Sequence, residues 1–99
     1  MRVFISGPVT GTYDYFKRFA DAVDDITDFF GPNCEVVNPI DCTEQLPDTL
    51  THAEYMTVTM ALLKICNMIY MLRDWEQSEG AREEHEYAAR HGYRIMYEG

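Results

Sequence analysis

Short apolar runs rich in β-formers alternate with longer segments of helical period along this chain, and that alternation restricts its fold more than any other feature. "RVFIS" has the character of a central strand, and "GPVTG" closes it with a Gly/Pro turn signal. Over residues 14–30, Phe16, Phe19, Ala20, Val23, Ile26, Phe29 and Phe30 recur at helical spacing until "GPN" stops them. "CEVVNP" is a short β-branched strand halted by Pro39, and "IDCTEQLPDTLT" has no period and reads as a loop. Residues 52–66 carry a helical stripe of Tyr55, Met56, Thr59, Met60, Leu62, Leu63 and Cys66. "NMIYML" is then a buried strand, "SEGAREEHEYAARH" a helix ended by Gly92, and "YRIMY" a last strand. Strands joined through helices form parallel, right-handed crossover units buried on both faces. The expectation is an α/β fold of flavodoxin/Rossmann-like type, a small parallel four-stranded sheet flanked by helices, in a single domain over residues 1–99. Its ligand belongs at the carboxyl ends of the strands, where "GPVTG", the loop after Asn38 and "DWEQSEG" converge.

Composition narrows the function. A length of 99 residues suits one core, and a net charge of −9 excludes a surface built for the phosphate backbone of a nucleic acid. Cys34, Cys42 and Cys66 are odd in number and lack a C-x-x-C pair, so we read them as reduced thiols in a cytoplasm. The start "MRVFISGPVTG" is too short in its apolar part for a signal peptide, and no apolar run nears the roughly 20 residues that span a bilayer. Small-molecule partners remain.

Five glutamates fall between Glu76 and Glu86. Ser78 suits the N-cap of the last helix, with Glu79 complementing its dipole. At about 100° per residue, Ala81, His85, Ala88 and Gly92 share one face, while Glu79, Glu83, Glu86 and Arg90 share the opposite, solvated one. Glu84 lies on the flank of the small-residue face, one turn from the helix start. A carboxylate there is costly unless paired or functional.

The segments "SGPVTG…DYFKRF", "VVNP" and "YM…LL…CNMIYML…WEQSEGAREE…A…GYRI" together resemble the nucleoside 2-deoxyribosyltransferase superfamily, especially its short members in phages and bacteria. The similarity spans essentially the whole chain. The resemblance implies that Glu84 attacks C1′ of a sugar, in a setting like S-x-G-x-x-x-E followed by a small residue, matched by Ser78, Gly80, Glu84 and Ala88. Ser78 is the residue type of relatives that cleave nucleoside 5′-monophosphates, so a phosphorylated ligand is implied, held by Ser78 and the first backbone N–H groups of its helix at Gly80 and Ala81. Ser6, Gly7, Pro8 and Gly11 would floor the sugar and phosphate, Asn38 would join from the second strand, and Tyr13 or Trp75 would stack on the base. Phe16 is assigned to the core.

Three positions depart from that pattern. Phe4 stands where the enzymes carry a tyrosine that orients the nucleophile, Thr59 where they carry an aspartate, and Asn67 where aspartate is common. Losing the tyrosine hydroxyl at Phe4 and one carboxylate at Thr59 removes partners that would hold and tune Glu84, and Tyr13 or Tyr15 is an alternative source of a hydroxyl. The sequence therefore supports a nucleotide N-glycosidase or deoxyribosyltransferase, with a nucleotide-binding or sequestering protein on the same scaffold as the alternative. An oligomeric interaction protein with a vestigial pocket is the third reading. No cofactor is called for. "EEHEYAARH" fails the H-E-x-x-H metal pattern at Ala89, and no metal site is expected. A homo-oligomer, dimeric or built from dimers, is expected because Met56, Met60, Tyr55 and Trp75 have little of a small core to cover them.

Overall fold

In the computed structural model, which describes residues 1–9 and 14–99, β1 (Arg2–Ser6) lies inside a sheet ordered β2-β1-β3-β4. The other strands are β2 (Glu35–Val37), β3 (Met68–Met71) and β4 (Arg94–Tyr97). All three pairings are parallel: Val3 is in register with Val36 and Met68, and Ile69 with Ile95. The helices are α1 (Tyr15–Phe30), α2 (Pro39–Thr43), α3 (His52–Lys64) and α4 (Glu79–Arg90), with a short 3-10 turn at Trp75–Gln77 before α4. This is the four-stranded parallel α/β sheet with flanking helices that the alternation predicts.

Because side chains alternate along a strand, β1 divides the core. Val3 and Ile5 pack with Phe19, Ala22 and Ile26 of α1 on one face, whereas Phe4 packs with Leu63 of α3 and Ala81 and Ala88 of α4 on the other. Ser6 follows Phe4 by two residues and points toward α4, bonding there to Glu84. Leu63, Ile69, Met71 and Leu72 are fully buried. At about 25 cal/mol per Å² of apolar surface, each such side chain contributes roughly 1.5–3 kcal/mol.

Several expectations change. The segment after Pro39 is not all loop: α2 forms because the Asn38 side chain accepts a hydrogen bond from Ile40 N at 3.0 Å and Pro39 presets the first helical turn. Phe16 is not in the core but 51% exposed. Helix α1 starts at Tyr15, so Phe16 sits in its first turn, stacked on Tyr15 at 4.7 Å. The buried stripe of α1 is Phe19, Ala22 and Ile26, leaving Ala20 and Phe29 outside. The apolar residues offered as uncovered are largely covered within the chain: Met56 is buried, Tyr55 half-buried, and Met60 and Trp75 pack against the Phe4 cluster. That removes the packing argument for an oligomer.

Two local signals place the functional helices. Thr51 and Glu54 form a reciprocal capping box at the start of α3, Thr51 Oγ1 accepting from Glu54 N at 3.1 Å and Glu54 Oε1 from Thr51 N at 2.9 Å. Ser78 Oγ accepts from Ala81 N at 3.2 Å and caps α4 as expected. Gly92, with φ of +71°, takes the left-handed conformation that ends α4.

Candidate active site

Helix α4 turns Ala81, Glu84 and Ala88 toward the sheet, and the two alanines let its backbone come close. Glu84 is carried inward with them and keeps only 6% exposure. A bare carboxylate so placed would be costly, and the chain answers with a hydroxyl: Ser6 Oγ, at the carboxyl end of β1, donates to Glu84 Oε1 at 2.6 Å. Burial nevertheless prevails. It pushes the Glu84 carboxyl up to about 7, against the opposing pull of the Ser6 and Thr59 hydroxyls. A group that is half ionised near neutrality is suited to nucleophilic or proton-transfer work.

Glu84 opens into a cavity of about 90 Å³. Its walls bring together Ser6 and Gly7 from the end of β1, Tyr55, Met56 and Thr59 from α3, and Ser78, Gly80 and Ala81 from the start of α4. The helix terminus contributes the positive end of the α4 dipole, with the Ala81 N–H already taken by Ser78 Oγ. Thus a buried carboxylate, a hydroxyl that orients it and an anion-attracting helix start converge at the carboxyl end of the sheet.

Among the residues singled out from sequence, Ser6, Gly7, Ser78, Gly80, Ala81 and Glu84 line this cavity together. Ser6 serves as the partner of the carboxylate. Gly7 has a packing reason of its own, since a Cβ there would stand 2.7 Å from Leu72 Cβ. Gly80 brings α4 close to α3, where a Cβ would lie 3.1 Å from Met56 Sδ. Pro8 is buried beside the site but not on its wall. Asn38 is occupied in capping α2. Gly11 and Tyr13 lie outside the described residues.

Trp75 stands elsewhere. Its indole stacks on the His85 imidazole at 4.2 Å, and His85 Nε2 lies 2.8 Å from the Tyr97 hydroxyl, so Trp75 joins an aromatic group over the β4 edge. Tyr15 stacks on Phe16 and lines a second groove rather than the Glu84 cavity. Phe4, where resemblance expects a tyrosine, is wholly enclosed in apolar neighbours; the hydroxyl on Glu84 comes instead from two residues further along the strand.

His52, Tyr55 and Met56 are wall residues that sequence reasoning assigned no role in the site. The capping box could have placed the start of α3 there. Exposed His52 also meets Glu83 at 3.3 Å and Glu79 at 3.9 Å. Among the described residues these three could share a metal ion, each offering one ligand atom within 4.8 Å of the others. Their spacing in sequence conceals this because they belong to two helices.

The fold matches the 2-deoxyribosyltransferase of the psychrotolerant bacterium Bacillus psychrosaccharolyticus, described as a biocatalyst for nucleoside synthesis, with a TM-score of 0.74. The match covers 98% of this chain and 71% of that one at 12% sequence identity, so the likeness is one of fold. The chain itself belongs to the family described as a domain of unknown function, DUF4406, which matches residues 1–97. No curated protein matches the sequence.

Proposed function

We propose that the protein is a nucleotide N-glycosidase or deoxyribosyltransferase acting on a nucleoside 5′-monophosphate, with Glu84 as nucleophile. The observation that carries this reading is the buried Glu84 carboxylate, held by Ser6 at 2.6 Å and facing a cavity at the capped start of α4. The 2-deoxyribosyltransferase fold supports the same class of chemistry.

In this mechanism Ser6 fixes one carboxylate oxygen and the other attacks C1′ of the sugar. The glycosidic C–N bond breaks as the C–O bond forms, the base leaving with the electron pair through an oxocarbenium-like transition state. Water or a second base then attacks C1′ of the glycosyl-enzyme and regenerates the carboxylate. Ser78 and the first N–H groups of α4 hold the 5′-phosphate. Thr59, on the same wall, weighs on the ionisation of Glu84 as a second hydroxyl.

Incubation with a panel of ribo- and deoxyribonucleoside monophosphates, followed by chromatography for free base, tests the reading. Release of base by the wild type but not by Glu84→Gln is the expected result, and equal release by both would overturn it. Thr59 motivates one other reading, a nucleotide-binding protein without turnover, because the fully buried hydroxyl of Thr59 takes the place at which resemblance expects a carboxylate. Ligand-induced rise in melting temperature with no base released from any monophosphate is its signature.

A further inference from the structure

The Glu84 cavity does not stand alone. A second groove of about 460 Å³ runs between the start of α1 and the segment from α2 to α3, walled by the apolar Phe16, Leu46 and Leu50 and by the polar Thr43, Glu44 and Asp48. Val9, His52 and Tyr55 line both spaces, so the groove and the cavity meet along these three residues. Of the three, Val9 has no ring and the exposed His52 imidazole is engaged with Glu83 at 3.3 Å, which leaves Tyr55 as the larger aromatic face at the junction. It is half-buried, and burial, followed by the opposing effect of the Thr43 hydroxyl and then the charge of Glu84, governs the ionisation of its phenol. Tyr55 shares the groove wall with Thr43 of α2 and the cavity wall with Glu84.

We propose that Tyr55 is the specificity-determining residue of this site, its ring forming the neck through which a ligand extends from the Glu84 cavity into the larger groove. The inference rests on the glycosidase reading above. The cavity beside Glu84, at about 90 Å³, is far smaller than a nucleotide and admits only the part of a ligand that meets the carboxylate, so the rest must extend beyond its walls. A nucleobase must then lie past the neck, with one face against the Tyr55 ring. Aromatic stacking tolerates every base because each has a π-face, so Tyr55 selects for the presence of a base and its size more than for its hydrogen-bonding edge.

Two ligands separate the parts: 2-deoxyribose 5-phosphate, which has no base to lay against Tyr55, and the corresponding deoxyribonucleoside 5′-monophosphates, which have one. Calorimetry on the wild type, Tyr55→Phe and Tyr55→Ala gives the comparison, with melting temperatures to verify that each variant is folded. For Tyr55→Ala the expected result is an affinity for 2-deoxyribose 5-phosphate within about twofold of wild type and a loss of about tenfold or more for the monophosphates. Tyr55→Phe, which keeps the ring, should retain monophosphate binding within about threefold. Should Tyr55→Ala fail to fold, Tyr55→Phe and Tyr55→Leu carry the same test, since leucine keeps bulk without a stacking face. Equal loss for both ligands, or no loss for either, overturns the role of Tyr55 while leaving the glycosidase reading intact. Binding of neither ligand to the wild type overturns the glycosidase reading, and the role of Tyr55 falls with it.

Discussion

Glu83 and Glu84 are neighbours in sequence on one helix, yet they occupy opposite chemical worlds. The Glu83 side chain is 49% exposed and meets His52 at 3.3 Å across the helix surface. Glu84 points to the sheet, retains 6% exposure and has its carboxyl pushed up to about 7. About 100° of helical rotation is all that separates them. What sets the two carboxylates apart is therefore not their identity but the face of α4 on which each falls, together with the strand-borne Ser6 hydroxyl that meets only Glu84.

The sharpest way to break this contrast is Glu84→Gln. If Glu84 is the nucleophile, base release should fall at least about a thousandfold, the scale on which removal of a covalent nucleophile acts, while monophosphate binding by calorimetry persists. The same variant exposes the energetic side. A carboxyl raised in the folded state stabilises fully below its unfolded value, near pH 4.5, and that contribution is lost as the pH climbs through about 7. Wild type should therefore lose stability relative to Glu84→Gln between pH 5 and pH 8, by on the order of 3 kcal/mol, as chemical denaturation at each pH would record. Wild-type kcat/KM should rise over the same window as Glu84 ionises, and a pH-independent rate would count against attack by this group.

Ser6→Ala should be next in size. It removes the donor at 2.6 Å from Glu84, a bond to a charged acceptor worth about 1.5–3 kcal/mol. The rising limb of the pH–rate profile should move to higher pH and base release should fall about tenfold or more; an unshifted profile would show that Ser6 does not hold the carboxylate. Smaller again is Ser78→Ala, which removes the cap on Ala81 N and should lower stability by about 1 kcal/mol. It should weaken a monophosphate more than the matching nucleoside, and equal weakening would assign Ser78 to capping alone. Glu83→Gln closes the series: on the solvated face it should alter stability by less than about 0.5 kcal/mol and leave base release close to wild type.

Much of this site was legible because it is written in local signals. Ser78 is a helix start that needs only the residues after it, and helical rotation alone separates Glu84 from Glu79, Glu83 and Glu86. The "RVFIS" and "NMIYML" runs are strands on their own evidence, and their parallel pairing follows from the helices between them. What stayed hidden depends on where elements meet. Phe16 has the spacing of a core residue, but only the actual start of α1 reveals that its turn projects away from the packed face. Trp75 is two residues from a loop tip in sequence, and its stacking on His85 is fixed by how α4 lies over β4. Tyr55 belongs to a helical stripe that reads as core, and becomes a cavity wall only because α2 and α3 leave a groove beside it. The helix α2 was missed because a five-residue element has no period, and its cue was the Asn38–Pro39 pair.

The hydrogen bond from Ser6 to Glu84 joins residues 78 positions apart, and this separation has a consequence for how the chain acquires its chemistry. Ordering two groups across so long a loop is entropically expensive, so such contacts form late unless intervening structure shortens the span. Both the pairing of β1 with β3 and the docking of α4 on the sheet are needed for the carboxylate to meet its hydroxyl. A chain whose α4 is undocked has no such burial around Glu84, so the raised titration of that one side chain should serve as a marker of docking, and in refolding experiments it should emerge together with native tertiary signals rather than with helix formation alone.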